Sequence, residues 1–114
     1  MGVSRYLRIE GGDIDVAVKG TSYRQRHVPK VGSYWFTLAA EPSNAYDANA
    51  VAVVARKAVG YLPRDLARVW SPLCRSIGRR RFVVPGEVRL TVDGKARWIL
   101  LWLPDPSVVA SLLK

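Results

Sequence analysis

One cysteine, one histidine and one methionine occur among 114 residues. A lone thiol, Cys74, leaves no internal disulfide and no cysteine-based zinc set. Lying among Trp70, Leu73 and Ile77, it reads as a small buried hydrophobe. No apolar run approaches the ~20 residues of a membrane-spanning helix. The longest, Trp98 to Leu103, suits a buried strand instead. The first residues lack the apolar stretch of a signal peptide. Met1-Gly2 is followed at the sixth position by Tyr6, where a myristoylation signal needs Ser or Thr. Also missing are a glycine-rich phosphate loop, a pair of metal-spaced histidines and a nucleophile with a base close by in sequence. The expectation is a soluble cytoplasmic protein (nucleoid-associated in a bacterial cell), without membrane contact, cofactor or catalytic centre.

Acidic residues are scarce too. Nine Asp and Glu face eighteen Lys and Arg, giving a net charge of +9 and a pI near 10.3. So basic a small chain is expected to bind polyanions. Residues 1–40 carry six basic and three acidic side chains, 41–60 two of each, and 61–114 ten and four. The densest point, Arg79-Arg80-Arg81, reads either as a polyanion contact or as a solvated turn before a strand. Glu41, Asp47 and Asp65 are the carboxylates that could gather a magnesium ion. Drawn from three separate elements, they make a metal-dependent nuclease the least supported reading.

With 49% hydrophobic and 24% charged residues, the chain can bury one domain core. Residues 1–12 read as a lead-in, with Gly11-Gly12 as a hinge, and 13–114 as a single domain. Asp13 to Lys19 alternates with period two, as a half-buried strand does. Thr21 to His27 is a polar, basic loop. In it Tyr23 either packs locally or offers a stacking face, and His27 is a loop residue. Further strands are expected at Tyr34 to Ala40, Ala50 to Ala55 and Val59 to Leu62. Pro63 suits the first turn of a helix that follows the three-to-four spacing of Leu66, Ala67, Val69, Trp70, Leu73, Cys74 and Ile77. Ser71-Pro72 either caps a second short helix or kinks the first. Phe82 to Val84 and Glu87 to Val92 read as two strands, or one bent strand, around Pro85-Gly86. Asp93-Gly94 marks a hairpin into Lys95 to Leu103, and Val108 to Leu113 closes with a short helix. The fold expected from this pattern is mainly β (α+β): a small β-barrel of about six strands, with a one- or two-helix insertion and a short C-terminal helix.

The stretch Glu41 to Ala50 joins two of these strands. Asn44 and Asp47 can cap a turn through the backbone, but Tyr46 has no turn-forming virtue. Either the three residues form a binding constellation, or Asn44 and Asp47 only fold the turn while Tyr46 tucks against the core.

Glu41-Pro42-Ser43-Asn44-Ala45-Tyr46-Asp47-Ala48-Asn49-Ala50-Val51, followed by Val59-Gly60-Tyr61-Leu62-Pro63-Arg64-Asp65-Leu66-Ala67, resembles the core of the HIRAN domain. The likeness runs from about Asp13 to Ile77. HIRAN domains occur fused to fork-remodelling helicase-like proteins and alone in bacteria. The resemblance implies an OB-like barrel that captures the 3′ end of single-stranded DNA, centred on the free 3′-hydroxyl. It further implies a role in repair or replication, or in guiding a helicase or nuclease partner to an end. Asp47 and Asn44 would be the polar groups of the end pocket, and Tyr46 and Tyr23 would hold the terminal nucleotides. Tyr61 would form the pocket wall and Arg64 would contact phosphate. Two positions depart from the pattern: Ala45 replaces a common Pro, and Ser22 stands where eukaryotic end-binders present Arg, with Arg24 the nearest charge. Trp98 is either a further aromatic contact or a core residue. The competing functions are a general single-stranded nucleic-acid binder, of DNA or RNA, and a protein-interaction barrel.

Overall fold

The computed structural model describes residues 5–113. Its elements are, in order, β1 (Tyr6–Arg8), β2 (Ile14–Ala17), two 3₁₀ turns (Thr21–Tyr23 and Gln25–His27), β3 (Gly32–Ala40), β4 (Val51–Val54), β5 (Ala58–Tyr61), α1 (Arg64–Ser76), β6 (Arg81–Leu90), β7 (Arg97–Leu103) and α2 (Pro106–Leu112). Among these residues no helix is long and apolar enough to cross a membrane.

One sheet contains all seven strands in the order β2-β7-β6-β3-β4-β5, with β1 added in parallel beside β6. All other pairings are antiparallel. The alternation in the sequence sets the two faces. Phe36, Leu38, Val51, Val53, Phe82, Val84, Val88, Ile99, Leu101 and Leu103 point inward and are almost fully buried. Trp35, Thr37, Arg81, Arg89, Trp98 and Trp102 alternate with them on the outer face. Helix α1 fills the inner side, its Trp70 ring meeting Phe82 edge-on at 5.9 Å between centroids.

The sheet curls until its two ends meet. Just past β2, Lys19 pairs with Tyr61 at the end of β5 through two backbone hydrogen bonds, of 2.8 and 2.9 Å. Gly60 makes this closure possible: a Cβ there would lie 2.3 Å from the Lys19 carbonyl oxygen and 2.6 Å from Val18 Cγ1. The result is the expected OB-like architecture, a half-barrel joined along a short seam.

Several local readings change in the three-dimensional context. The lead-in contributes β1, whose Leu7 packs on the core, while residues 1–4 lie outside the described part. Gly12 acts through close approach rather than as a hinge, since a Cβ would meet the Pro104 backbone at 2.3 Å. Of the two readings for Ser71-Pro72, a second cap is excluded. α1 runs unbroken through Pro72, and the buried Ser71 Oγ has no hydrogen-bond partner. Pro85-Gly86 does not interrupt β6 either. Pro85 falls between Val83, the last residue paired with β1, and Gly86, the first paired with β7. That stretch has a neighbour on one side only, where a missing N–H is tolerated. The hairpin forms as its residues imply, with Asp93 Oδ1 accepting from the Thr91 hydroxyl at 2.6 Å and Lys95 N at 3.0 Å. Cys74 is buried, which pushes its thiol up to about 12.

Candidate nucleic-acid interface

A concavity of about 450 Å³ opens beside the seam. It gathers five of the six residues singled out by sequence: Asn44, Tyr46, Asp47, Tyr61 and Arg64. Lys19 and Arg24 join them from the strand end and the 3₁₀ loop. Tyr23 stands apart, in a neighbouring hollow with Arg24, Arg26 and His27. Arg24 is common to both hollows, so Tyr23 flanks the seam pocket rather than lining it.

The loop after β3 is built by its own side chains. Asn44 Oδ1 accepts from the backbone N–H groups of Tyr46 at 2.9 Å and Asp47 at 3.1 Å. Its Nδ2 donates to Glu41 Oε1 at 3.0 Å. Asn44 is thereby committed to shaping the loop, the turn-forming half of the alternative raised by its sequence. Tyr46 does not tuck against the core: it is 91% exposed, as is Tyr23. Both rings are free faces at the pocket's margin, and stacking is what such faces offer to bases.

Asp47 combines two roles. One carboxylate oxygen accepts from Asn49 N at 2.9 Å and fixes the side chain. The other lies 4.0 Å from Arg64 Nε, at the limit of an ion pair, and Arg64 is itself mostly exposed. So one oxygen of a held carboxylate remains open to a donor from outside. Three cations, Lys19, Arg24 and Arg64, line the same concavity. Arg24 lies over the Tyr61 ring, 5.7 Å from its centroid. The loop carrying Arg24 is wound into 3₁₀ turns, so this side chain reaches the pocket although it neighbours Tyr23 in sequence. It brings a guanidinium to a site where Ser22 supplies none.

Tyr61 donates its hydroxyl to Glu41 Oε1 at 2.9 Å. Burial raises its pKa first, and the hydrogen bond to Glu41 and the Glu41 charge add to that, while Arg24 acts in the opposite sense. The phenol therefore stays protonated and braces the pocket wall. Glu41 receives both Tyr61 and Asn44 and so ties the β3–β4 loop to the end of β5. Glu41, Lys19 and Gln25 were not among the site residues expected from sequence. Gln25 makes two hydrogen bonds to the Arg97 backbone, at 2.8 and 2.9 Å, pinning the Tyr23–Arg24 loop to β7. Glu41 opens the Glu41 to Ala50 loop in plain view, but its pairing with a residue twenty positions on has no local signal.

The remaining candidates separate from the site. Trp98 is neither core nor pocket: it lies half-buried on the outer face, its indole N–H donating to the Leu90 carbonyl at 3.2 Å. Glu41, Asp47 and Asp65 do not converge, and among the described residues no three His, Cys, Asp or Glu side chains form a metal-holding group.

Among curated proteins none matches the sequence. The crystal structure of the HIRAN domain of human HLTF is similar, with a TM-score of 0.53 and 19% identity over 88% of this chain and 84% of that one. At that identity the likeness is one of fold. The sequence profile of the HIRAN domain matches residues 11–93, taking in the seam, the pocket loops, α1 and β6, and the chain belongs to the HIRAN domain family.

Proposed function

We propose that this domain binds single-stranded DNA and recognises its free 3′-hydroxyl end in the seam pocket. The observation that carries the reading is the half-used Asp47 carboxylate in a pocket that three cations also line. A carboxylate repels phosphate and has no place in a surface that only follows a backbone. It suits a terminal hydroxyl, a donor present only where a strand ends, through a charge-assisted hydrogen bond. Lys19, Arg24 and Arg64 then receive the adjoining phosphates, and the exposed faces of Tyr46 and Tyr23 stack the last bases at ~1–3 kcal/mol each. Stacking and phosphate contacts are indifferent to base identity, so the reading entails end preference with little sequence preference. Membership of the HIRAN family supports it, and the domain would serve repair or replication by bringing a helicase or nuclease partner to an end.

The test is fluorescence anisotropy with three short single strands of one sequence at fixed salt, ending in 3′-hydroxyl, ending in 3′-phosphate, or circular. The expected order places the free hydroxyl first. Equal affinity for all three would overturn end recognition and leave a general single-strand binder. No binding at physiological salt would leave a protein-interaction barrel.

A further inference from the structure

The Arg79-Arg80-Arg81 run does not contribute to the seam pocket. It borders a second concavity, of about 420 Å³, on the outer face of the sheet. Four arginines surround this hollow: Arg5 ahead of β1, Arg56 in the β4–β5 turn, and Arg79 and Arg81 after α1. Pairing of β1 with β6 brings the first and last together, with Arg81 N donating to the Arg5 carbonyl at 2.8 Å. The Thr37–Val54 pair of β3 and β4 forms part of the lining between them and the Arg56 turn. No carboxylate lines the hollow, and among the described residues none of the four arginines is in an ion pair. Arg81 also borders an adjoining hollow that adds Arg75 and Arg80. No lining residue is common to this surface and the seam pocket.

Like charges held together without counter-ions repel, and a bound anion relieves that cost. Every cation here is an arginine, whose fork of donors matches phosphate oxygens two at a time. A single phosphate would engage one hollow. Two adjoining hollows joined at Arg81 fit a ligand with phosphates in series. We propose that this outer surface is a second nucleic-acid site, which grips the phosphodiester backbone of a single strand at phosphates away from its end. The seam pocket reads an end, and the outer site holds the strand irrespective of one.

The experiment measures binding of the full chain to a circular single-stranded oligonucleotide, which has no terminus, across a range of sodium chloride concentrations. Relative to wild type, the R56A/R79A/R81A variant is expected to bind about tenfold more weakly, with the log–log salt slope flatter by about 2 for three lost phosphate contacts. The corresponding triple lysine variant keeps the charge and should retain the slope while losing part of the affinity. Urea midpoints equal to wild type exclude unfolding as the cause, because all three arginines are exposed. Undiminished circle binding by R56A/R79A/R81A would overturn the proposal. So would displacement of the circle by inorganic phosphate beyond that by chloride at equal ionic strength, which would assign the surface to a free anion. Failure of end recognition reads out separately, as loss of 3′-hydroxyl preference on linear strands.

Discussion

The seam pocket and the outer arginine surface are both basic hollows of similar volume, but they are built on different principles. In the seam pocket the polar groups are held: Asn44 spends both ends of its amide on the loop, Glu41 receives two donors, and Asp47 is fixed through one oxygen. Around the outer hollow the four arginines form no ion pairs among the described residues. A held carboxylate among cations discriminates between ligands by the direction of a single hydrogen bond. A carboxylate-free set of cations attracts any chain of phosphates, with strength set by salt. On the proposed reading, specificity resides where the fold invests hydrogen bonds, and general affinity where it leaves charge unpaired.

The harshest way to break this contrast is through the backbone that closes the seam. G60V places side-chain atoms where the Lys19 carbonyl stands, and it should destabilise the protein by about 3 kcal/mol in urea unfolding. End preference should disappear with it. If G60V kept both stability and preference, the closure would not be what organises the pocket. Next in size is D47N, which keeps the shape of the side chain and removes its charge. Preference for a 3′-hydroxyl over a 3′-phosphate should fall about tenfold or more, the worth of a hydrogen bond to a charged group. Binding of circular strands should not weaken.

Y46A removes a ring that is 91% exposed. Affinity for linear strands should drop by ~1–3 kcal/mol, with the unfolding midpoint unmoved; a shifted midpoint would mean that the ring supports the fold. Cys74 supplies a smaller effect that is independent of both surfaces. Its folded pKa is raised from 9.0 to about 12 by burial, so the folded state favours the protonated thiol. This contribution is complete below pH 9.0 and is lost as pH rises toward about 12. One unit above the free thiol's value, it should cost wild type about 1 kcal/mol that a C74A variant does not lose. The same thiol should resist a thiol reagent at neutral pH in D47N and Y46A and become labelled in G60V. The smallest effect is expected from R64A, which should weaken hydroxyl- and phosphate-ended strands alike and flatten the salt slope by less than one unit.

The strands, the helix and the hairpin could be read locally because their signals are local. Period-two burial at Ile14, Val16 and Val18, the spacing of Ala67, Trp70 and Cys74, and Asp93-Gly94 each act over a few residues. Pro72 and Pro85 each left two readings open in the sequence, because tolerance of a missing N–H depends on the surroundings. Pro85 is accommodated by a gap between two neighbouring strands, which no inspection of its own flanks reveals. Tyr23, Tyr46, Asp47, Tyr61 and Arg64 could be named from the motif. The motif did not show that Glu41 joins Tyr61 or that Arg24 covers the Tyr61 ring. Those relations join separate elements rather than neighbours within the loop.

The motif over residues 41–67 pointed to the HIRAN family, while composition and short-range order were enough to indicate a basic, mainly β domain with a helix after the Val59 to Leu62 strand. These latter features follow from side-chain periodicity, turn chemistry and net charge, which are properties of neighbouring residues. Folding in three dimensions decided where the positive charge became useful. Closing β5 onto Lys19 placed a carboxylate and three cations in one pocket, and pairing β1 with β6 drew arginines from positions 5, 56, 79 and 81 around one hollow. Electrostatic sites depend on distances through space, and strand pairing across the whole chain sets those distances.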